Sequence, residues 1–235
     1  ESIEEMVSRK YEELEVLRAF TSEKIRKKLK DRDGINIYNP KGALLRMKEL
    51  NIKDIYIQPL HIIPGFEYEK IENQVEGFLK ENEDFKISIS KPLLYDKEDY
   101  HRVLEGLQGE KILSDSPIVF MGHGTEHNSD RVYAELEELF NEKGYKNAFI
   151  GTVEGAKTLE DIISILKARE IKLVRLRPFM LVAGDHAIND MASKDGDSWF
   201  NKLRAEGIEA EVELFGLGEL GFIRTLFLEH LENIM

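Results

Sequence analysis

The sequence contains no cysteine, one tryptophan and six prolines among its 235 residues. The absence of cysteine excludes disulfide bonds, thiolate-bound zinc and a cysteine nucleophile, and indicates little about the compartment. No apolar run approaches the roughly 18–20 residues that a membrane-spanning helix requires. No signal peptide is visible, but the chain starts at Glu1 rather than Met. We therefore expect a cytoplasmic protein without a membrane partner, and leave open a signal peptide that has been removed.

Positive charge is also scarce, because 33 Lys and Arg are outnumbered by 45 Asp and Glu, for a net charge of −12. A nucleic-acid-binding protein of this charge needs a local basic stripe. The nearest approach, at residues 24–30, is typical of a solvent-exposed helix face and is followed at once by Asp31. We therefore expect no nucleic acid partner.

The apolar fraction of 42% is that of a globular protein, and the length suits two domains.

Helical segments and short apolar strands alternate along the chain. This alternation predicts an α/β fold with parallel sheets flanked by helices. A polar stretch without strong periodicity, residues 108–117, predicts a boundary between an N-terminal domain of 1–112 and a C-terminal domain of 113–235. Strands are predicted at 16–20, 54–63, 85–90, 118–121, 147–153, 172–182 and 210–215.

Two segments, 58–67 and 177–186, share one pattern. In each, a proline precedes an apolar run, a glycine follows six residues after the proline, and a residue of metal-ligand type stands two further on. That residue is Glu67 in the first segment and His186 in the second, an offset of 119 residues (186 − 67). The pattern predicts equivalent strand ends in two similar halves. If the halves face each other, a carboxylate and an imidazole would meet across a cleft.

The repeat also predicts something ahead of Glu1. The second half opens with a strand at 118–121 and a glycine-rich turn, whereas the first half begins directly with a helix. By analogy, a central strand and turn of roughly 15–20 residues is expected before Glu1. The alternative is that the first half is built differently from the second.

Among the six histidines, His123 has the most informative position. It lies between two glycines at the carboxyl end of a predicted strand, where open parallel sheets bind ligands. His61, on an apolar strand, is interpreted as a core or cleft-lining residue, and His101 and His230 as surface residues on helices. The aspartates near Gly196, which are Asp190, Asp195 and Asp197, lack the spacing of a calcium loop and are expected to serve as turn and cap residues.

His123, His186 and Glu67 are the candidate metal ligands. Two imidazoles and a carboxylate, with coordination positions left open, suit Co²⁺, Ni²⁺, Fe²⁺ or Zn²⁺. The lack of thiolates favours a transfer site over a permanent structural zinc site. Spacing alone does not distinguish metal transfer from metal-assisted hydrolysis.

Several segments resemble the anaerobic cobalt chelatase family, the sirohydrochlorin cobaltochelatases of the CbiK type. The most diagnostic run covers 181–193 and continues through 196–199. The likeness extends over essentially the whole chain, although the family's first strand and Gly-Thr-Ser turn are absent, and the family usually has a polar residue where Phe66 stands. The other matching segments are 18–22, 60–63, 67–70, 120–124 and 216–219.

The resemblance implies two similar α/β domains with the active-site cleft between them. It implies that His123 and His186 bind the metal and that Glu67 is the third ligand or a proton acceptor. The implied reaction inserts Co²⁺ into sirohydrochlorin on the oxygen-independent route to cobalamin, without ATP or an organic cofactor. A non-catalytic carrier of a tetrapyrrole or a metal ion, using the same cleft, is the alternative.

Sirohydrochlorin carries eight carboxylates, so an acidic chain needs local cations to bind it. Arg18, Arg177 and Lys194 lie next to predicted strand ends and are the candidates for these contacts. The hydroxyls of Thr21 and Ser22 could add hydrogen bonds, although Ser22 is also expected to cap the helix that follows it. The physiological metal and the oligomeric state stay open.

Overall fold

The structure is a computed structural model and describes residues 2–235. The chain forms two compact units. The first comprises the residues up to Leu93 together with Arg224–Met235, and the second is Leu94–Ile223. The sequence predicts domains of 1–112 and 113–235, and that division stays a prediction. Within residues 2–235, no helix is both long and apolar enough to cross a membrane.

The helices begin where the sequence supplies caps. Ser22 accepts a hydrogen bond from the Ile25 N–H at 3.3 Å, and Pro40 occupies the first helical turn, where its missing N–H costs nothing. The helices are α1 (Ile3–Lys10), α2 (Glu23–Asp33), α3 (Pro40–Glu49), α4 (Phe66–Glu81), α5 (Lys97–Gly109), α6 (Arg131–Glu142), α7 (Leu159–Ala168), α8 (Trp199–Ala205) and α9 (Gly221–Glu232).

In the first unit, β1 (Asp54–Ile57) pairs in parallel with β2 (Lys86–Ile89). The strand predicted at 54–63 is too long, because Pro59 has no N–H to donate to a ladder. The strand predicted at 16–20 is wrong as a strand, since only Ala19 forms a bridge, to Tyr38. That segment is half-exposed and lacks the apolar continuity of a core strand. The core beneath β1 and β2 contains Leu44, Ile55, Ile71, Val75, Phe78 and Phe85.

In the second unit, four strands form a parallel sheet in the order β4-β3-β5-β6. All residues of β3 and β4 are buried, as their continuous apolar sequences predict for strands covered on both faces. The strand predicted at 172–182 ends early, at a proline. The strands are β3 (Ile118–Gly122), β4 (Ala148–Thr152), β5 (Leu173–Pro178) and β6 (Glu209–Val212).

The fold contains the predicted repeat. Strands β1 and β5 begin at Asp54 and Leu173, which are 119 residues apart (173 − 54). Each strand is followed by a glycine and then a helical segment that carries the candidate ligand, Glu67 or His186. The strand expected ahead of Glu1 would lie outside the described residues.

Candidate functional site

His123 follows β3 in a turn that close backbone packing fixes in place. Gly124 has φ +76°, and a Cβ added there would come within 2.4 Å of the Gly155 nitrogen. The His123 carbonyl accepts hydrogen bonds from the N–H groups of Val153 and Glu154, at 3.1 and 2.8 Å. The turn after β3 is therefore locked to the turn after β4, and only glycine fits at position 124.

His186 begins a six-residue π-helix, His186–Met191, that follows the loop after β5. Ala187 and Met191 are fully buried in the core of the second unit, so one side of this short helix is fixed by packing. Single π-turns are rare and frequently occur at functional sites.

The His123 and His186 rings lie edge to face, with centroids 4.8 Å apart and planes at 83°. They meet because β3 and β5 are neighbours in the sheet. Both side chains are about half exposed, at 47% and 41%. His123 Nδ1 lies 3.0 Å from the Gly124 carbonyl oxygen, and His186 Nδ1 lies 2.5 Å from Asp190 Oδ2. Since both partners accept hydrogen bonds, each ring carries its proton on Nδ1 and has the Nε2 lone pair available for a metal.

Two carboxylates beside these rings were not predicted as site residues. Glu154 Oε2 lies 3.7 Å from His123 Nδ1, and Asp190, interpreted as a turn or cap residue, contacts His186. Glu154 lies two residues after β4, and this position at the carboxyl end of a strand is the sequence signal that could have identified it. Within residues 2–235, no three side chains of His, Cys, Asp or Glu already form a metal-binding cluster. As candidate ligands, the two imidazoles would supply part of a coordination shell that other groups would complete.

In the first unit, Glu67 is the second residue of α4 and lies near His61 and Thr21. Burial alone raises the pKa of Glu67, but hydrogen bonds from Thr21 and Lys70 outweigh it and leave that pKa below its usual value. Burial lowers the pKa of His61. Glu67 Oε2 and His61 Nδ1 are both buried without a hydrogen-bond partner among residues 2–235. An ionised carboxylate with one unsatisfied oxygen is suited to accept a proton or bind a cation.

Of the other first-unit candidates, Arg18 is exposed and forms an ion pair with Glu4. Ser22 caps α2, as expected, so its hydroxyl already has a structural role. Thr21 lies beside Glu67 and helps to lower the pKa of that carboxylate.

The two cationic candidates of the second unit differ in exposure. Arg177 is only 6% exposed, lies 3.4 Å from the Glu213 carboxylate and stacks on Phe215 with its guanidinium carbon 5.9 Å from the ring centroid. Burial lowers the pKa of Arg177. Lys194 is exposed in the loop after the π-helix. Lys194 can therefore reach a ligand in solvent, whereas Arg177 acts mainly within the protein.

Two apolar residues that lie close to His186 in sequence are exposed, Val182 at 69% and Ile188 at 52%. Phe215, which contacts the Arg177 guanidinium, is 54% exposed. A Cβ at Gly216 would lie 2.5 Å from the Leu181 carbonyl oxygen, so the backbone next to Phe215 lies against the loop that contains Val182. Contiguous exposed apolar groups mark ligand-binding surfaces, and these residues are candidates for one.

A cavity of about 600 Å³ is lined by residues from the end of β4, from the start of α6 and from the loops that follow β3 and β4. Its lining includes Glu154, Asp130 and Lys157 but neither of the paired histidine rings. Because both candidate metal ligands of the second unit lie outside its lining, this cavity is not the candidate metal site.

The remaining histidines divide between surface and core. His101 is exposed on α5, as predicted. His230 is only 4% exposed, so its interpretation as a surface residue is wrong. It lies on the buried face of α9 with Phe227 and Leu231, a periodicity that the charged residues flanking it in sequence concealed.

Comparison with known proteins shows which family this chain belongs to. The family described as cobalt chelatase (CbiK) matches residues 1–235. The chain belongs to the CbiK cobalt chelatase family. The resemblance seen in the sequence motifs is thereby confirmed. Among curated relatives of this CbiK family member, a protein named sirohydrochlorin cobaltochelatase from Salmonella typhimurium is 40% identical over 223 residues, covering 94% of this chain and 83% of that protein. One named sirohydrochlorin cobaltochelatase CbiKC from Nitratidesulfovibrio vulgaris is 34% identical over 194 residues, covering 80% and 68%.

Solved structures support the chelatase fold. SirB from Bacillus subtilis with Fe³⁺ aligns with a TM-score of 0.61 over 92% of each chain, at 14% identity. The sirohydrochlorin chelatase SirB from Bacillus subtilis subspecies spizizenii, in complex with cobalt, aligns with a TM-score of 0.54 over 84% of this chain and 75% of that one, also at 14% identity. At this identity the likeness shows the fold, and the predicted α/β chelatase fold class is confirmed.

Proposed function

We propose that this CbiK family member inserts Co²⁺ into sirohydrochlorin in cobalamin biosynthesis. In this proposal His123 and His186 bind the incoming ion through Nε2, and Glu67 serves as third ligand or proton acceptor. The observation that carries the site assignment is the edge-to-face pair of rings, 4.8 Å apart at the ends of two neighbouring strands. Family membership and the names of the curated relatives support the reaction itself.

The reaction requires a metal donor and proton acceptors in one place. Two pyrrole N–H protons must leave as Co²⁺ enters, so the macrocycle releases two protons for each ion that it binds. Neutral imidazoles hold a borderline ion through nitrogen yet leave coordination positions open for the ring nitrogens. The pKa of Glu67 lies below its usual value, so this carboxylate is ionised near neutral pH. A lowered pKa suits Glu67 to bind the cation as third ligand better than to act as the proton acceptor. Both tasks depend on positioning, so neither ATP nor an organic cofactor is needed.

The side chains around the ligands suit a flat, polyanionic substrate. The exposed Val182 and Phe215 would contact the apolar face of the macrocycle, and Lys194 would meet its carboxylates, together with Arg18 once its ion pair with Glu4 opens. Ni²⁺, Fe²⁺ and Zn²⁺ accept the same ligand types, so the choice of Co²⁺ rests on the relatives rather than on the donor atoms. A cytoplasmic location remains a prediction.

Replacement of each histidine by alanine tests the proposal. H123A and H186A should lower the rate of cobalt insertion by roughly 100-fold or more, because even partners of metal ligands contribute about 10–100-fold. Melting temperatures should hardly change, since both rings are half-exposed. The matched control is H101A, which removes an exposed imidazole from α5 and should retain full activity.

The assay is the absorbance change of sirohydrochlorin on metallation under anaerobic conditions. If the wild-type chain binds sirohydrochlorin and Co²⁺ but does not accelerate insertion, the protein is a carrier. If H123A and H186A both keep wild-type rates, the site assignment is wrong even though the chelatase reaction stands.

A further inference from the structure

We propose that Asp190 is a positioning residue for His186. Its carboxylate fixes the tautomer and orientation of the ring, so that Nε2 is presented to the incoming metal ion. This inference rests on the proposed role of His186 as a metal ligand. It assigns a function to a residue that its sequence context indicates only as a turn or cap residue.

The π-helix brings the two side chains together. His186 and Asp190 are four residues apart, and so are Ala187 and Met191, which are fully buried. The wide turn is maintained by the Ala192 N–H, which donates to the Ala187 carbonyl five residues earlier, at 3.1 Å. One side of the helix is therefore held by the core, while the adjacent side holds the imidazole against the carboxylate.

The contact is chemically specific. Asp190 Oδ2 lies 2.5 Å from His186 Nδ1, a short contact between a ring nitrogen and a carboxylate, the pair of groups that forms charge-assisted hydrogen bonds. An ionised carboxylate accepts only, so the proton resides on Nδ1 and the lone pair on Nε2. A carboxylate in this position also makes the imidazole a stronger electron donor to a metal. His123 receives weaker support, since its Nδ1 meets a neutral carbonyl oxygen at 3.0 Å and the Glu154 carboxylate lies 3.7 Å away, beyond hydrogen-bond distance.

A purely structural role explains the contact poorly. Both side chains are more than 40% exposed, and exposed ion pairs contribute little to stability. Asp190 also lies in the last turn of its short helix, where negative charge is not favoured. What the pair achieves is a fixed ring orientation, which benefits metal binding more than it benefits folding.

The test measures Co²⁺ binding to the whole chain, with the metal alone as the probe, and insertion kinetics with sirohydrochlorin. D190A should raise the Kd for Co²⁺, and the KM for Co²⁺, by about 10–100-fold. The KM for sirohydrochlorin should stay within about twofold of wild type, because D190A removes a contact that supports binding of the metal and not of the tetrapyrrole. D190N keeps an acceptor oxygen without its charge and should fall between D190A and wild type. D190E should recover part of the lost affinity. D195N is the matched control, because it removes one exposed carboxylate charge from the adjoining loop and should bind Co²⁺ normally.

Wild-type Co²⁺ affinity in D190A would overturn the inference, and so would an equal loss in D195N or an equal rise in both KM values. If D190A does not fold, the same Kd and KM measurements on the nearly isosteric D190N test the inference. H186A separates this inference from the proposed function. Lost binding in H186A with normal binding in D190A rejects the role of Asp190 alone, whereas normal binding in H186A rejects His186 as a ligand and the inference with it.

Discussion

Thr21 and Ser22 are neighbouring hydroxyl residues whose side chains do different things. Thr21 lies beside Glu67 and affects the pKa of its carboxylate, whereas Ser22 caps α2. The hydrogen bond from Thr21 stabilises the ionised form of the carboxylate and so helps to lower the pKa of Glu67. Substitution at the two positions therefore separates an effect on the site from an effect on the helix.

We expect T21V to shift the pH dependence of cobalt insertion. Without the hydroxyl, the pKa of Glu67 rises, so the carboxylate is protonated, and lost as an acceptor, at a higher pH than in wild type. The acid limb of the kcat/KM profile should move to higher pH, while the rate above neutral pH stays close to wild type. Profiles measured from about pH 3 to pH 8 extend below the unperturbed glutamate pKa of about 4.3 and cover the histidine pKa of about 6.5.

S22A provides the control for T21V. It should cost about 1 kcal/mol through loss of the cap on α2 and leave the acid limb unmoved. If T21V has the same acid limb as wild type, Glu67 is not the group whose protonation limits the reaction.

For single residues, the sequence predicts those candidates that a local sequence pattern marks. His123 stands between glycines and His186 follows a repeated strand end, and the sequence predicts both as metal ligands. Glu154 and Asp190 were missed as site residues because their contacts depend on conformation. Glu154 lies 31 positions after His123 in sequence, and Asp190 reaches His186 through a π-turn that no residue pattern signals.

Among the structural elements, the interlocked turns after β3 and β4 determine where His123 stands. Gly124 and Gly207 both have positive φ, at +76° and +73°. A Cβ at Gly124 would lie 2.4 Å from the Gly155 nitrogen, whereas a Cβ at Gly207, in the turn after α8, would meet nothing within 4 Å. The two glycines therefore share the same backbone strain and differ in close packing.

We expect G207A to cost roughly 1–2 kcal/mol, which is the strain of a left-handed alanine. G124A adds a collision with backbone atoms, so it should cost more stability and displace His123. Urea midpoints and insertion rates measured for both variants test this. G207A should retain its rate per folded molecule, and G124A should lose most of it. Equal effects on stability and unaltered insertion by both variants would show that the interlocked turns do not position His123.

The elements themselves were predicted well where apolar runs are buried on both sides, as in β3 and β4. The strand predictions are wrong where the segment is exposed to solvent or contains a proline. Residues 16–20 combine apolar side chains with the exposed, ion-paired Arg18, and tertiary structure provides only one bridge there. The apolar runs after β1 and β5 extend past the strands because they line loops and turns, so alternation and apolarity cannot reveal where a ladder stops.

For the molecule as a whole, we expect the net charge of −12 to act in opposite directions on the two proposed substrates. An acidic protein attracts Co²⁺ and repels sirohydrochlorin, with its eight carboxylates, and the proposed contacts with Arg18 and Lys194 would oppose that repulsion locally. Salt screens both effects, since the Debye length falls from about 30 Å at 0.01 M to about 8 Å at 0.15 M ionic strength.

We therefore expect kcat/KM for Co²⁺ to fall, and kcat/KM for sirohydrochlorin to rise, as a weakly coordinating salt such as sodium perchlorate is increased over this range. Changes of several-fold are expected, because electrostatic steering alters association rates by about 10-fold or more. The measurement varies one substrate at a time, with sucrose in place of salt to control for osmolarity. A fall in kcat/KM for sirohydrochlorin would mean that the local cations outweigh the net charge, and the K194Q variant should then lose most of that salt dependence.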